Sequence, residues 1–305
     1  MTAASAERRS VSGIVLLDKP AGLSSNAALQ QVKRLYGSSK AGHTGSLDPL
    51  ASGMLPICLG EATKIAGALL DARKQYCFTI HLGERTASGD AEHEVIERRP
   101  VPTLDAAAIG RTLAGFIGER TQVPPMHSAI KHEGQRLYQL ARRGLEVARQ
   151  PRAIEIVSLA AEAWSTPRLT VRVTCSKGTY VRVLAEEIAE ALGTCGYVVH
   201  LHRAWTAPFE EESMITLQEL ERCDEAGRTR RILPIDHPLR AYRRVDLDAR
   251  QAERVGHGQA VALAEWGTEA AAQVRIYAPQ ARFIGLGSVD ASGRLQPKRL
   301  MELGL

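Results

Sequence analysis

A chain of 305 residues, 44% of them apolar, can bury a full hydrophobic core and carry a second small domain, which excludes a disordered polypeptide. Its 39 Lys and Arg against 34 Asp and Glu give a net charge of +5 and a pI near 9.0, a balance that favours polyanionic partners without naming one. No run approaches the roughly 18 apolar residues of a membrane span, and the five cysteines are scattered with no CxxC pair, so a soluble protein of the reducing cytoplasm is expected.

Residues 1–10 are expected to form a flexible terminus, and the apolar run behind them, GIVLLD, stops at Lys19 and Pro20, too short for a signal peptide. That run, Gly13 to Pro20, reads as a buried strand. SSNAALQQVKRLYG follows as a helix with Ser24 or Ser25 as N-cap, Leu29, Val32 and Leu35 as its stripe, and Gly37 at its exit. KAGHTGSLDPLASGMLP, dense in Gly, Ser and Pro, reads as a loop, and EATKIAGALLDA as a short helix. In KQYCFTIHLG, Tyr76, Phe78, Ile80 and Leu82 alternate with Cys77, Thr79 and His81, the period of a strand. A helix is expected around LDAAAIGRTLAGFIG. Residues 123–152 mix Pro, Gly, His and basic residues with scattered apolar ones and read as an exposed excursion from the core. Strands return in RAIEIVSLAAEAW and RLTVRVTCS, then a helix in TYVRVLAEEIAEALG and a strand in GYVVHLHRAW. ERCDEAGRTRR reads as a linker, and from about Val245 short strands and a hairpin with a DASG turn form a β-rich appendage.

Asp48 occupies a tight SLDP turn with Gly42, Gly45 and Gly53 around it. An Asp before Pro is commonly a turn residue, but glycines let backbone approach a ligand, and a lone carboxylate on such a loop is available as nucleophile or base. His43, five positions earlier, is either a loop histidine or an acid–base partner. Tyr76 reads first as core. Tyr180 opens a helix beside Arg182, which is either a surface cation or the ion-pair partner of a buried carboxylate: burial raises an Asp pKa by as much as about 3 to 5 units and a close arginine lowers it by about 1 to 3. His200 and His202 share a strand face, but no third ligand has metal-site spacing. GxxxxGK and GxSxG are absent, and no cofactor is expected.

Taken in order, GIVLLDKPAGLSSN, AGHTGSLDPLASGMLPICLGEATK, the Tyr76 strand, PPMHSAIKHEGQRLYQLAR and CSKGTYVRVLAEEI closely resemble the bacterial tRNA pseudouridine-55 synthases of the TruB type, over nearly the whole length. The resemblance implies an α+β fold: a mixed, largely antiparallel bent sheet flanked by helices over residues 11–240, with an RNA-gripping insertion at 123–152 and a PUA-like RNA-binding domain at 245–305. It implies a stand-alone isomerase that flips the T-loop uridine of tRNA onto Asp48, with no metal and no cofactor, acting as a monomer. By matching positions, Asp48 is the catalytic aspartate, His43 helps extrude the base, Tyr76 stacks on it and accepts the C5 proton, and Tyr180, Arg182 and Leu201 wall the pocket, Arg182 paired with Asp48. The family often has Leu-Arg-Arg where this chain has Leu201, His202 and Arg203, which puts one RNA contact in question. Two rivals stand beside this reading: a relative of the same fold directed by guide RNA and partner proteins, and a non-catalytic RNA-folding protein. An RNA-folding role can also accompany catalysis.

Overall fold

The computed structural model describes residues 11–128, 130–264, 266–267 and 269–302; the expected flexible residues 1–10 lie outside them. The chain opens with β1 (Gly13–Lys19). Its Val15 and Leu17 join the core on one face of the main sheet, and Ile14 and Leu16 a second core on the other. Burial on both faces is why the run is continuously apolar rather than alternating. Helix α1 (Ser25–Leu35) starts behind Ser24, whose side chain accepts from the Ala27 amide at 3.1 Å, and ends before Gly37 at φ 60°.

The expected loop over KAGHTGSLDPLASGMLP is largely sheet: β2 (Ala41–His43) and β3 (Ser52–Leu59) pair with each other, and only the segment between them loops out. Tertiary pairing overrides the Gly and Pro content here, because β3 is sandwiched between β1 and the strand that carries Arg203. The helix expected over EATKIAGALLDA divides into a 3-10 turn at Gly60–Lys64 and α2 (Ala66–Leu69). β4 (Lys74–Leu82) has the expected strict alternation of burial. A β5 (Glu84–Thr86) and β6 (Val95–Arg98) hairpin, α3 (Ala106–Ala114) and β7 (Gly118–Gln122) follow.

Among its described residues the basic excursion holds a small hairpin, β8 (Lys131–His132) and β9 (Gln135–Arg136), and α4 (Leu137–Ala141). The hairpin turns on Glu133 and Gly134, both at positive φ. Lys131, Arg136, Arg142 and Arg143 are exposed, while Leu137 and Leu140 are buried.

β10 (Arg152–Ser165) and β11 (Arg168–Cys175) form a long hairpin, then come α5 (Val181–Ala191) and β12 (Gly196–Thr206). The nine-stranded sheet runs β13-β1-β3-β12-β4-β11-β10-β7 with β2 off β3, where β13 is Ile215–Thr216; only the β1–β13 and β3–β12 pairs are parallel. The expected linker is instead α6 (Leu217–Arg222) and α7 (Glu225–Thr229). Thr216 and Glu219 form a capping box, Asp224 caps α7, and buried Leu217 and Leu220 anchor the segment, so local capping stabilises a stretch whose charge suggested a tether.

The tail forms a second sheet, β14-β16-β17-β18-β15, from β14 (Arg243–Asp246), β15 (Val261–Ala262), β16 (Ala271–Ala278), β17 (Arg282–Val289) and β18 (Arg294–Leu300). It also contains α8 (Ala249–Gly256), which the sequence reading did not anticipate. Tyr277, Phe283, Leu286 and Met301 of the tail share a core with Ile14, Leu16, Met54 and Cys58, so the tail is seated on the back of the main sheet.

Gly53 sits at a crowded point of that sheet. At φ 100° it lies opposite both Lys19 and Arg203, and a Cβ there would stand 2.2 Å from the Arg203 carbonyl oxygen. Gly53→Ala is therefore expected to destabilise the protein by more than the about 1–3 kcal/mol of left-handed backbone strain alone, read as a lowered urea midpoint; an unchanged midpoint would contradict this packing.

Candidate active site

The segment carrying Asp48 is tied down from three sides. Ser25, at the start of α1, donates its hydroxyl to the Leu47 carbonyl at 2.9 Å and accepts from the Leu47 amide at 2.8 Å. Lys19, wholly buried at the end of β1, donates to the carbonyls of Pro20, Leu23 and Pro49 at 2.8, 2.7 and 3.5 Å. Arg203, also wholly buried, donates through Nη2 to the Gly45 carbonyl at 3.1 Å and through Nε to the Met54 carbonyl at 2.6 Å. A loop rich in glycine is rigid here because its carbonyls are held by buried cations.

Arg182 projects from the first turn of α5. The N-terminal approach to that helix is fixed by the buried Gln122 of β7, whose amide accepts from the Tyr180 N–H at 2.7 Å and donates to the Tyr180 carbonyl at 3.2 Å. The Arg182 guanidinium places Nε 3.0 Å from Asp48 Oδ2 and Nη1 3.5 Å from Asp90 Oδ2, and donates to the carbonyls of Ser88 at 3.0 Å and His127 at 2.7 Å. Asp90 is buried and accepts through Oδ1 from the Ser88 hydroxyl at 2.6 Å and the Glu92 amide at 3.1 Å.

Asp48 keeps 41% side-chain exposure toward a cleft of about 260 Å³. Tyr76, Tyr180, Arg182 and Leu201 line the same cleft. Burial pushes the Asp48 carboxyl above the usual aspartate range and the neighbouring Asp90 adds to this, while Arg182 and Lys19 oppose it without cancelling it. Burial likewise raises the phenols of Tyr76 and Tyr180, so both are neutral hydroxyls at pH 7.

Five of the six residues singled out from the sequence therefore meet at one cleft. His43 does not line it: on β2, opposite Ile57, its Nδ1 is buried without a partner and its pKa is lowered by burial and by Arg203. His202 faces away from the cleft, as strand alternation requires with Leu201 and Arg203 facing in, and its Nδ1 lies 3.0 Å from the Ser52 hydroxyl. Sequence reading missed Asp90, Lys19, Lys74 and Arg203. Lys19 and Arg203 stood in apolar strand runs where a buried charge is an anomaly, a usable signal; nothing in TASGDAEHE marked Asp90. Among the described residues no group of three or more His, Cys, Asp or Glu is placed to hold a metal ion, no helix is long and apolar enough to cross a membrane, and the five cysteines are free thiols.

Residues 33–181 match the TruB family pseudouridylate synthase N-terminal domain, residues 182–240 the tRNA pseudouridylate synthase B C-terminal domain, and residues 244–301 the pseudouridine synthase II TruB C-terminal family. The chain is 47% identical over 301 residues to tRNA pseudouridine synthase B of Burkholderia mallei, covering 97% of this chain and 99% of that one. It is 45% identical over 291 residues to the protein of the same name from Chromohalobacter salexigens, covering 95% and 94%. Among solved structures it is similar to a Cbf5-Nop10-Gar1 complex, with TM-score 0.69 at 24% identity over 94% of this chain and 84% of that one. An H/ACA RNP bound to a substrate RNA containing 2′-deoxyuridine gives TM-score 0.69 at 22% identity over 95% and 84%. At these identities the two structures speak to the fold alone.

Because the folded state raises the Asp48 pKa, ionising this group works against folding: no penalty exists below the unfolded value, and it grows as pH rises through the folded one. The unfolding temperature of wild type relative to Asp48→Asn, in which this site does not titrate, is accordingly expected to fall as pH rises from the ordinary aspartate value toward 7. A relative unfolding temperature that rises over that range would reverse the sign assigned to this carboxylate.

Proposed function

The chain belongs to the TruB family of pseudouridylate synthases, and on that premise we propose that it isomerises the T-loop uridine of tRNA, position 55, with Asp48 as its catalytic carboxylate. As a member of that family it is an isomerase that makes pseudouridine in tRNA. The single observation that carries the finer reading is the Asp48–Arg182 pair at 3.0 Å, opening on a cleft walled by Tyr76, Tyr180 and Leu201.

Isomerisation breaks the bond from ribose C1′ to N1, turns the uracil and joins its C5 to the sugar, with no atoms gained or lost. An ionised carboxylate serves this by attacking C1′, by adding to C6 of the base, or by removing the C2′ proton to give a glycal. A cleft of about 260 Å³ takes a single nucleobase and not a helix, so the uridine must leave its stack. Flipping costs a few kcal/mol, and stacking on the Tyr76 ring returns about 1–3 kcal/mol. Tyr76 relays the C5 proton on this reading, its oxygen accepting it as the hydroxyl proton passes on toward solvent. Tyr180 and Leu201 keep the detached ring from escaping. His43 does not line the cleft and its buried Nδ1 has no partner; its assignment to base extrusion rests on the family resemblance.

The exposed cations of residues 123–152, with Lys33 and Arg34 of α1 and the tail, supply the phosphate grip. We assign residues 11–240 to catalysis and 245–305 to a PUA-like RNA-binding domain, in a monomer. The chain's own basic excursion, and 45–47% identity to relatives named for a tRNA synthase, favour the stand-alone enzyme over a guided one.

Tritium release from a T-arm stem-loop labelled at uracil C5 tests this directly. Wild type should release label, with a rate that falls as pH drops through a value above the ordinary aspartate range, where Asp48 protonates. Asp48→Asn should bind the RNA and release none. No release from folded wild type that still binds RNA would favour the guided or binding-only readings. Lys131→Ala or Arg142→Ala should weaken binding and reduce the salt slope by about 0.7–0.9 each, with the single-turnover rate at saturating enzyme unchanged; loss of the chemical step would refute their assignment as phosphate contacts.

A further inference from the structure

Besides Arg182, three buried cations, Lys19, Lys74 and Arg203, lie at or near the proposed uracil cleft, and they differ in how fully the protein satisfies them. Lys19 has three donors and three carbonyl acceptors, and it does not line the cleft. Lys74, at the start of β4 and 8% exposed, does line it. It donates to only two carbonyls, Ala72 at 2.6 Å and Leu70 at 3.3 Å, which leaves one of the three ammonium protons without a protein acceptor among the described residues. Arg203 lines the cleft beside it and lies against the Tyr76 hydroxyl. Neither Lys74 nor Arg203 has a carboxylate in ion-pair contact among the described residues. Asp71, the acid whose field Lys74 feels, is engaged by Lys177 at 2.7 Å. The two cations converge: a Cβ on Gly45, three residues before Asp48, would stand 3.7 Å from both Arg203 Nη1 and Lys74 Cε. Unpaired buried charge opposes folding, and a cleft floor that carries it is preorganised for an anion.

We propose that Lys74, with Arg203 beside it, binds the carbonyl oxygens of the flipped uracil and stabilises the negative charge that develops on the ring as it leaves the sugar. This rests on the reading of the cleft given above. When the C1′–N1 bond breaks, its electron pair stays with the base and the charge spreads onto O2 and O4, while Asp48 meets the sugar by bonding C1′ or by taking the C2′ proton. The ring then turns, an electron pair at C5 forms the new bond to C1′ as Asp48 leaves or returns its proton to C2′, the C5 proton leaves to solvent by way of Tyr76 and N1 takes up a proton. Charge appears on the base only between these two bond changes, so a cation that meets it there speeds the reaction without tightening ground-state binding to the same degree. A phosphate of the RNA backbone is the competing occupant. The cleft's aromatic and aliphatic walls, Tyr76, Tyr180 and Leu201, fit a flat base better than a phosphodiester.

Burial, with Arg203 and Lys177, pulls the Lys74 ammonium down to about 8, against the opposing fields of Cys175 and Asp71. The group is charged below that value and neutral above it, so the single-turnover rate should fall as pH rises through about 8. Lys19 is also pulled to about 8 by burial, and substitution tells the two apart.

The experiment is tritium release under single turnover at saturating enzyme, with RNA affinity and thermal unfolding measured separately, for wild type, Lys74→Met and Lys74→Arg. Lys74→Met should slow the chemical step about 100-fold while RNA affinity stays within about twofold. Lys74→Arg should recover most of the rate and move the alkaline fall upward, because a guanidinium keeps its charge. A fall that stays at about 8 in Lys74→Arg would overturn the proposal, as would an unslowed Lys74→Met, or a Lys74→Met whose entire defect lies in affinity, the mark of a phosphate contact. If Lys74→Met fails to fold, the position of the alkaline fall in Lys74→Arg decides alone. Absence of release from wild type would instead defeat the reading of the cleft itself.

Discussion

The guanidinium of Arg182 ties together three stretches of chain that are remote in sequence: the Asp48 loop, the Ser88–Asp90 turn and the root of the basic excursion at His127. A guanidinium has five donors in a fixed fork, and inside a protein each one left without an acceptor is costly. The three stretches therefore cannot be repositioned independently. On the proposed reading this links RNA grip to chemistry, since the excursion that meets phosphates is anchored by the carbonyl that helps aim Arg182 at Asp48.

Asp48 is balanced rather than simply activated. Burial and Asp90 favour its neutral form; Arg182 and Lys19 favour the carboxylate. Arg182 divides its charge between two acids, so Asp48 receives less compensation than an exclusive pair would give. On the proposed reading, a carboxylate whose charge is only partly offset remains available to react, and the buried cations beside the cleft extend the same principle from Asp48 to the charge that the substrate acquires.

Rigidity comes from the sheet. β1, β3 and β12 meet at Gly53, the only residue type that lets Arg203 and Lys19 lie across from the same point, and both cations then reach forward to hold the loop carbonyls. Behind the sheet, Tyr277, Phe283, Leu286 and Met301 close the second core, and Lys64 donates to the Leu300 carbonyl at 2.9 Å. The tail thus bears on the same strands that carry the site.

What the sequence by itself determined follows short-range rules. The alternation from Tyr76 to Leu82, the Ser24 cap and the DASG turn each depend on neighbouring residues, and the long ordered motifs around Asp48 and Tyr180 carried the family resemblance that brought Asp48, Tyr76, Tyr180, Arg182 and Leu201 together. Only the tertiary structure decided the rest. Strand β3 looked like loop because its pairing partners lie elsewhere in the chain, and α6 and α7 looked like linker because their apolar anchors are few. Asp90, Lys74 and Arg203 owe their importance to burial and to the fields of residues up to more than a hundred positions away, and a field in a low-dielectric interior depends on distance in space, which no local pattern of residues encodes.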